Sequence, residues 1–228
     1  LDIIIDLSAP SLPLLTAVSP TVDPNPTWTW VSGGGGNGIY RFKLNDSDLS
    51  NGANLATTTV FTSVSSLISG THTLFVQESD DAGNWSGSAF LAVVVDLDPP
   101  SAPAVSSTTL TTSPNPLWSW TSGGGGVGIF RYKLDDPNLE SGAVETLNLG
   151  FTAVSGLNDG PHTLYVQERD FAGNWSPTGS FTVTVDTGVP DAPAVNISSP
   201  TNNLRPTWTW LQATGAGAGN GTYRYKLD

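Results

Sequence analysis

Cysteine and methionine are both absent from this chain of 228 residues, and only 8 Lys and Arg stand against 20 Asp and Glu. Without cysteine there is no disulfide framework and no thiolate zinc site, although the redox compartment stays open. The shortage of cations leaves a net charge of −12 and a pI near 4.2. Nucleic acid and anionic lipid carry the same sign of charge, so neither is expected as a partner. No apolar run approaches the ~18 residues that would span a bilayer, so direct membrane insertion is not expected either. Histidine is limited to His72 and His162. A nucleophilic triad needs a nucleophile, a base and an orienting acid, and this inventory leaves none to build, so no enzyme is expected.

What the chain does contain is a repeat. Trp28 and Trp30 recur as Trp118 and Trp120 and again as Trp208 and Trp210, a step of 90 residues. His72 and His162 keep that step, as do Asn84-Trp85-Ser86 and Asn174-Trp175-Ser176, and the series Asp6, Asp96 and Asp186. Residues 9–98 and 99–188 align without a gap and are identical at roughly half their positions. Solenoid units of about 20–50 residues cannot bury a core alone, whereas a unit of this length can. The expected organisation is the last strand of a preceding repeat at 1–8, complete repeats at 9–98 and 99–188, and the first strands of an incomplete repeat at 189–228. Leu1 in place of Met and the partial copies lead us to expect an excerpt of something longer.

Within each copy, short apolar runs are separated by Gly, Pro, Asn and Ser at intervals that suit strands. Period-two alternation in Thr27-Trp28-Thr29-Trp30-Val31 puts both indoles on one face, and Ile39 to Leu44 places Tyr40, Phe42 and Leu44 together. Leu12 to Val18, Val60 to Val64, His72 to Glu78 and Phe90 to Val95 supply further strands. The run Gly33 to Gly36 with Gly38 reads as a flexible hairpin loop. Seven or so strands without an amphipathic helix predict an all-β sandwich.

Pro-x-Trp-x-Trp, a Gly-rich turn, Tyr-Arg-Phe-Lys-Leu, and the later Gly-x-His-Thr-Leu-x-Val-Gln-x-x-Asp-x-Ala-Gly-Asn-Trp-Ser together resemble bacterial immunoglobulin-like domains. These are cousins of fibronectin type III domains and occur in long arrays in surface adhesins. The resemblance implies tandem immunoglobulin-like (fibronectin type III-like) sandwiches in an extended array, serving as extracellular spacers on a bacterial cell surface. It departs from the family at Glu78 and Glu168, where a small residue is common. The partners expected are neighbouring repeats of the same protein; the alternatives are a self-assembling extracellular filament, joined end to end with strand complementation between the incomplete end repeats, suggested by the partial copies, and a carbohydrate-binding accessory array of a secreted enzyme, suggested by the tryptophans. Pro99, Pro100, Pro103, Pro190 and Pro193 stiffen the joins.

Two constellations could carry a ligand. Asp80, Asp81, Asp96, Asp98, Asp170 and Asp186 lie in loops or at the joins. Calcium takes about six to eight oxygen ligands, so a Ca2+ ion locking neighbouring repeats is the candidate cofactor, with solvated acidic turns as the competing reading. Trp85 and Trp175 are the candidate ligand-binding rings for sugar stacking, against a structural alternative in which they stack with arginines such as Arg169. Each histidine is expected to close the core near a strand start and bond a backbone group.

Overall fold

The computed structural model describes residues 5–214 and 219–228. Repeat one is two antiparallel sheets. One contains β1 (Leu14–Ala17), β2 (Thr27–Val31) and β5 (Val60–Thr62) in the order β1-β2-β5. The other contains β3 (Ile39–Leu44), β4 (Asn54–Ala56), β6 (Gly70–Ser79) and β7 (Ala89–Val95) in the order β4-β3-β6-β7. Repeat two repeats this design. Its smaller sheet is β8 (Ala104–Ser106), β10 (Leu117–Thr121) and β13 (Gly150–Thr152), ordered β13-β10-β8. Its larger sheet adds β9 (Leu110–Thr111) to β11 (Ile129–Leu134), β12 (Val144–Thr146), β14 (Gly160–Arg169) and β15 (Gly179–Val185), ordered β12-β11-β14-β15-β9. The fold is all-β, two immunoglobulin-like sandwiches in tandem.

The alternation read from the sequence sets which side chains meet. Trp28 and Trp30 are 0% and 2% exposed and face Tyr40, Phe42, Leu74, Val76, Val93 and Val95 across the sandwich. Trp30 meets Tyr40 edge-on at 5.7 Å, a geometry that suits the quadrupoles of the two rings. Trp118, Trp120, Phe130, Leu164, Val166 and Val183 build the corresponding core of repeat two. The two cores share no residue, so each sandwich buries its own apolar surface.

In each sandwich the segment that follows the first strand runs parallel to the last strand. Leu110 and Thr111 pair with Thr184 and Val185, and in repeat one Thr21 bridges Val95. The donors are Thr184 N to Thr109 O at 2.8 Å and Asp186 N to Thr111 O at 2.9 Å, matched by Thr21 N to Val94 O at 3.0 Å and Asp96 N to Thr21 O at 2.9 Å.

Several expectations shift in detail. Strands β4 and β12 were not read from the sequence, and the first strand contracts to Leu14–Ala17. Of the expected strand at the beginning of the chain, residues 1–4 lie outside the described ones, and Ile5 to Ser8 are not in a strand. From 189 onward the three expected strands reduce to β16 (Ala194–Asn196) and β17 (Thr209–Leu211). The described part of the third, Gly219 to Asp228, is not a strand, because it lacks the flanking pair that β4 and β6 provide to β3. Trp208 and Trp210 are accordingly 45% and 36% exposed.

Candidate functional site

All five Lys and Arg of the complete repeats, Arg41, Lys43, Arg131, Lys133 and Arg169, alternate with core residues on β3, β11 and β14 and so lie on the outer face of the larger sheets. Arg41 gives its Nε hydrogen to Gln77 Oε1 at 2.7 Å and lays its guanidinium 4.3 Å from the centre of the Trp85 ring. Arg131 does the same with Gln167 at 2.8 Å and Trp175 at 4.4 Å, and Arg169 approaches Trp175 at 5.5 Å. Both indoles are half-buried. The candidate sugar-stacking rings are thus engaged by arginines, which hold them over the sheet. Lys43 and Lys133 are in turn paired with Asp46 and Asp136, each at 2.7 Å.

The six aspartates are placed separately. Among the described residues no three acidic or imidazole side chains converge as a cation cage. Asp80 Oδ1 accepts the Asn84 amide at 2.8 Å and Oδ2 accepts Asn84 Nδ2 at 2.9 Å. Asp170 Oδ1 accepts Gly173 N at 2.7 Å and Asn174 N at 2.8 Å. Asp96 and Asp186 each close a short turn, onto the amides of Asp98 and Gly188 at 3.1 Å. Asp81 and Asp98 are exposed. The carboxylates of Asp80, Asp96, Asp170 and Asp186 are thus engaged in their own turns.

A buried carboxylate is the feature that the sequence reading missed. Glu78 and Glu168 are each 1% exposed. Glu78 Oε2 accepts the Ser32 hydroxyl at 2.6 Å and Oε1 accepts Gly38 N at 3.3 Å. Glu168 repeats this with Ser122 at 2.6 Å and Gly128 at 3.1 Å. The glycine run is therefore packed around the carboxylate: a Cβ on Gly36 would stand 2.2 Å from Glu78 Cδ, and one on Gly33 would stand 2.1 Å from Leu12 O. Burial, then the Glu78 charge, raises the Tyr40 phenol above its usual range. Phe130 takes that place in repeat two.

The two histidines bond a backbone carbonyl as expected, but their other ring nitrogens meet different partners. Asn45 and Asp135, both at φ 59°, sit in the left-handed region that their short polar side chains tolerate. Asn45 Oδ1 accepts Thr73 N at 2.9 Å, which turns Nδ2 toward His72 Nδ1 at 3.0 Å. An amide nitrogen only donates, so Nδ1 accepts and Nε2 carries the proton given to Ile68 O at 3.0 Å. In repeat two Asp135 Oδ1 accepts Thr163 N at 2.7 Å, Oδ2 lies 2.6 Å from His162 Nδ1, and His162 Nε2 lies 2.9 Å from Asn158 O. Both ring nitrogens face acceptors, a setting that favours the protonated ring.

The Asp135 hydrogen bond raises the His162 pKa above its ordinary 6.5. A raised folded value means stability that is fully present below the unfolded pKa and lost as pH climbs through the folded one. Denaturant midpoints of repeat two are expected to fall as pH rises above the ordinary histidine value of 6.5, and Asp135→Asn is expected to flatten that slope. A slope that survives the substitution would assign it to other groups.

No protein-family model matches the sequence, and no curated protein is similar to it. Among solved structures, the FN1–FN3 domains of chicken CNTN1 are similar at 15% identity and a TM-score of 0.44, covering 78% of this chain and 68% of that one. The fibronectin(III)-like modules of Clostridium thermocellum CbhA are similar at 13% identity and 0.42, covering 75% and 94%. A two-domain fibronectin type III segment of chicken tenascin is similar at 15% and 0.32, covering 78% and 100%.

Proposed function

We propose that these sandwiches are load-bearing extender repeats of a large extracellular protein, an adhesin or stalk on a bacterial cell surface, which hold another module away from the cell. The observation that carries this is the parallel pairing, in each repeat, of the segment after the first strand with the last strand. A pull along the chain first strips the short β1 or β8 from its antiparallel partner and then loads Thr184 N–Thr109 O, Asp186 N–Thr111 O and their counterparts together in shear. Peeling would break them one at a time. Separate cores and proline-stiffened joins support the same reading, since every added repeat lengthens the rod by about 35–45 Å. Acidic surfaces keep neighbouring rods apart.

Single-molecule pulling checks this. Two peaks of similar height are expected, each followed by a gain of about 270 Å, from 90 residues at about 3.5 Å less one folded repeat. Extension without peaks would overturn the load-bearing role. Glycan binding lost on Trp85→Ala and Trp175→Ala would favour a sugar-reading array instead.

A further inference from the structure

The loop between β14 and β15 touches the repeat before its own. We propose that Asp170 to Asn174 is a clasp that grips the exit strand of repeat one and fixes the angle between the two sandwiches; this rests on the extender reading. Asn174 Nδ2 donates to Asp96 O at 2.9 Å. Asp96 follows β7, and its own N–H is held by Thr21 O of repeat one at 2.9 Å. One residue is therefore gripped from both sides of the join, its amide by repeat one and its carbonyl by repeat two. The contact recurs one repeat earlier, where Asn84 Nδ2 donates to Asp6 O at 3.1 Å.

The clasp is prebuilt. Asp170, only 7% exposed, binds the second hydrogen of the Asn174 amide through Oδ2 at 2.8 Å and the loop backbone through Oδ1. That fixes the carboxamide so that its remaining hydrogen points at the preceding strand. Gly173, at φ +113°, forms the crest, and a Cβ there would lie 3.9 Å from Val22 Cγ1 of repeat one.

A single hydrogen bond would not orient two domains joined by a slack linker, but this linker has little slack. Only Leu97, Asp98, Pro99 and Pro100 separate Asp96 from Ser101, whose amide is tied to Gly124 O at 3.0 Å. Leu97 N donates to Ser69 Oγ and Asp98 N to Asp96 Oδ1, both at 3.1 Å, and the prolines have fixed φ. With both ends pinned, the clasp removes the freedom that remains. What it recognises is the backbone carbonyl of the aspartate at the preceding join, Asp96 here and Asp6 one repeat earlier.

The absence of cysteine gives a clean measurement. Val64→Cys and Val154→Cys, at equivalent positions 98% and 89% exposed, take spin labels whose separation reports the step from one repeat to the next. In the full chain a single narrow distribution near one repeat length, about 35–45 Å, is expected. Asn174→Ala removes the clasp while leaving the Asp170 bonds to the Gly173 and Asn174 amides. It should broaden the distribution by about two-fold or more, toward the free motion usual for small domain interfaces. Asn84→Ala, whose partner Asp6 precedes repeat one, should leave it unchanged. If Asn174→Ala has no effect on the width, or Asn84→Ala broadens it equally, the clasp is overturned with the extender reading intact. A parent distance far below one repeat length would count against both.

Discussion

Trp118→Ala is expected to lower the melting of repeat two by about 15–30 °C while the transition of repeat one stays in place. The indole is fully buried between the sheets, against Phe151 at 6.1 Å between ring centroids, and its Nε1 donates to Phe181 O at 3.0 Å. Truncation leaves a cavity lined by Leu164, Val166 and Val183 and removes that donor, together about 3–5 kcal/mol. Confinement to one repeat follows from the separate cores, because no residue packed on Trp118 belongs to the core of Trp28. Calorimetry of the full chain reads it as two transitions where the parent shows nearly coincident ones. A joint loss of both would mean that the repeats fold as one unit. Trp120 offers a graded comparison: its Nε1 has no acceptor among the described residues, so Trp120→Phe forfeits packing alone and should cost less than Trp118→Phe.

The core behind that expectation was legible because strand periodicity is local. Trp28, Trp30, Tyr40 and Phe42 declare their face within five or six residues, and a repeat at 90 residues separates one core from the next. Strands β4 and β12 were not legible, since three residues such as Asn54-Leu55-Ala56 carry no alternation and owe their extended form to pairing with β3. The contacts at the candidate site were hidden for a different reason. Asn45 meets His72 across 27 residues, Glu78 meets Ser32 across 46, and Asn84 meets Asp6 across 78, so no local pattern announces them. The exchange of Asn45 for Asp135 looks conservative in the alignment. It replaces an amide with a carboxylate at the imidazole, because the turn aims that side chain at Nδ1. Glu168 did give a signal, as Leu164, Val166 and Glu168 share one parity and the carboxylate had to point inward. What the parity could not supply was the partner, a glycine run forty residues earlier.

That partnership leads to the second large effect, a coupling between Gly126 and Glu168. A Cβ at Gly126 would stand 2.2 Å from Glu168 Cδ and 2.4 Å from Oε1. The carboxylate cannot swing aside without giving up the Ser122 hydroxyl and the Gly128 amide, so Gly126→Ala is expected to destabilise repeat two by about 2–4 kcal/mol. Glu168→Ala removes the obstacle but leaves the half-buried Gly128 N–H without its acceptor and a void under the loop, at a cost of about 1–3 kcal/mol. Combined, the methyl introduced by Gly126→Ala enters the space that the carboxyl vacated, and the double substitution should cost less than Gly126→Ala alone. The coupling expected from denaturant midpoints is at least about 1.5 kcal/mol, well outside the few tenths within which independent sites add. Additive losses would mean that the glycine run is dictated by its backbone conformation and by Ala102 O beneath Gly123, with the buried carboxylate only a neighbour. Coupled losses would identify Glu168, and by the repeat Glu78, as the post around which each glycine loop is folded.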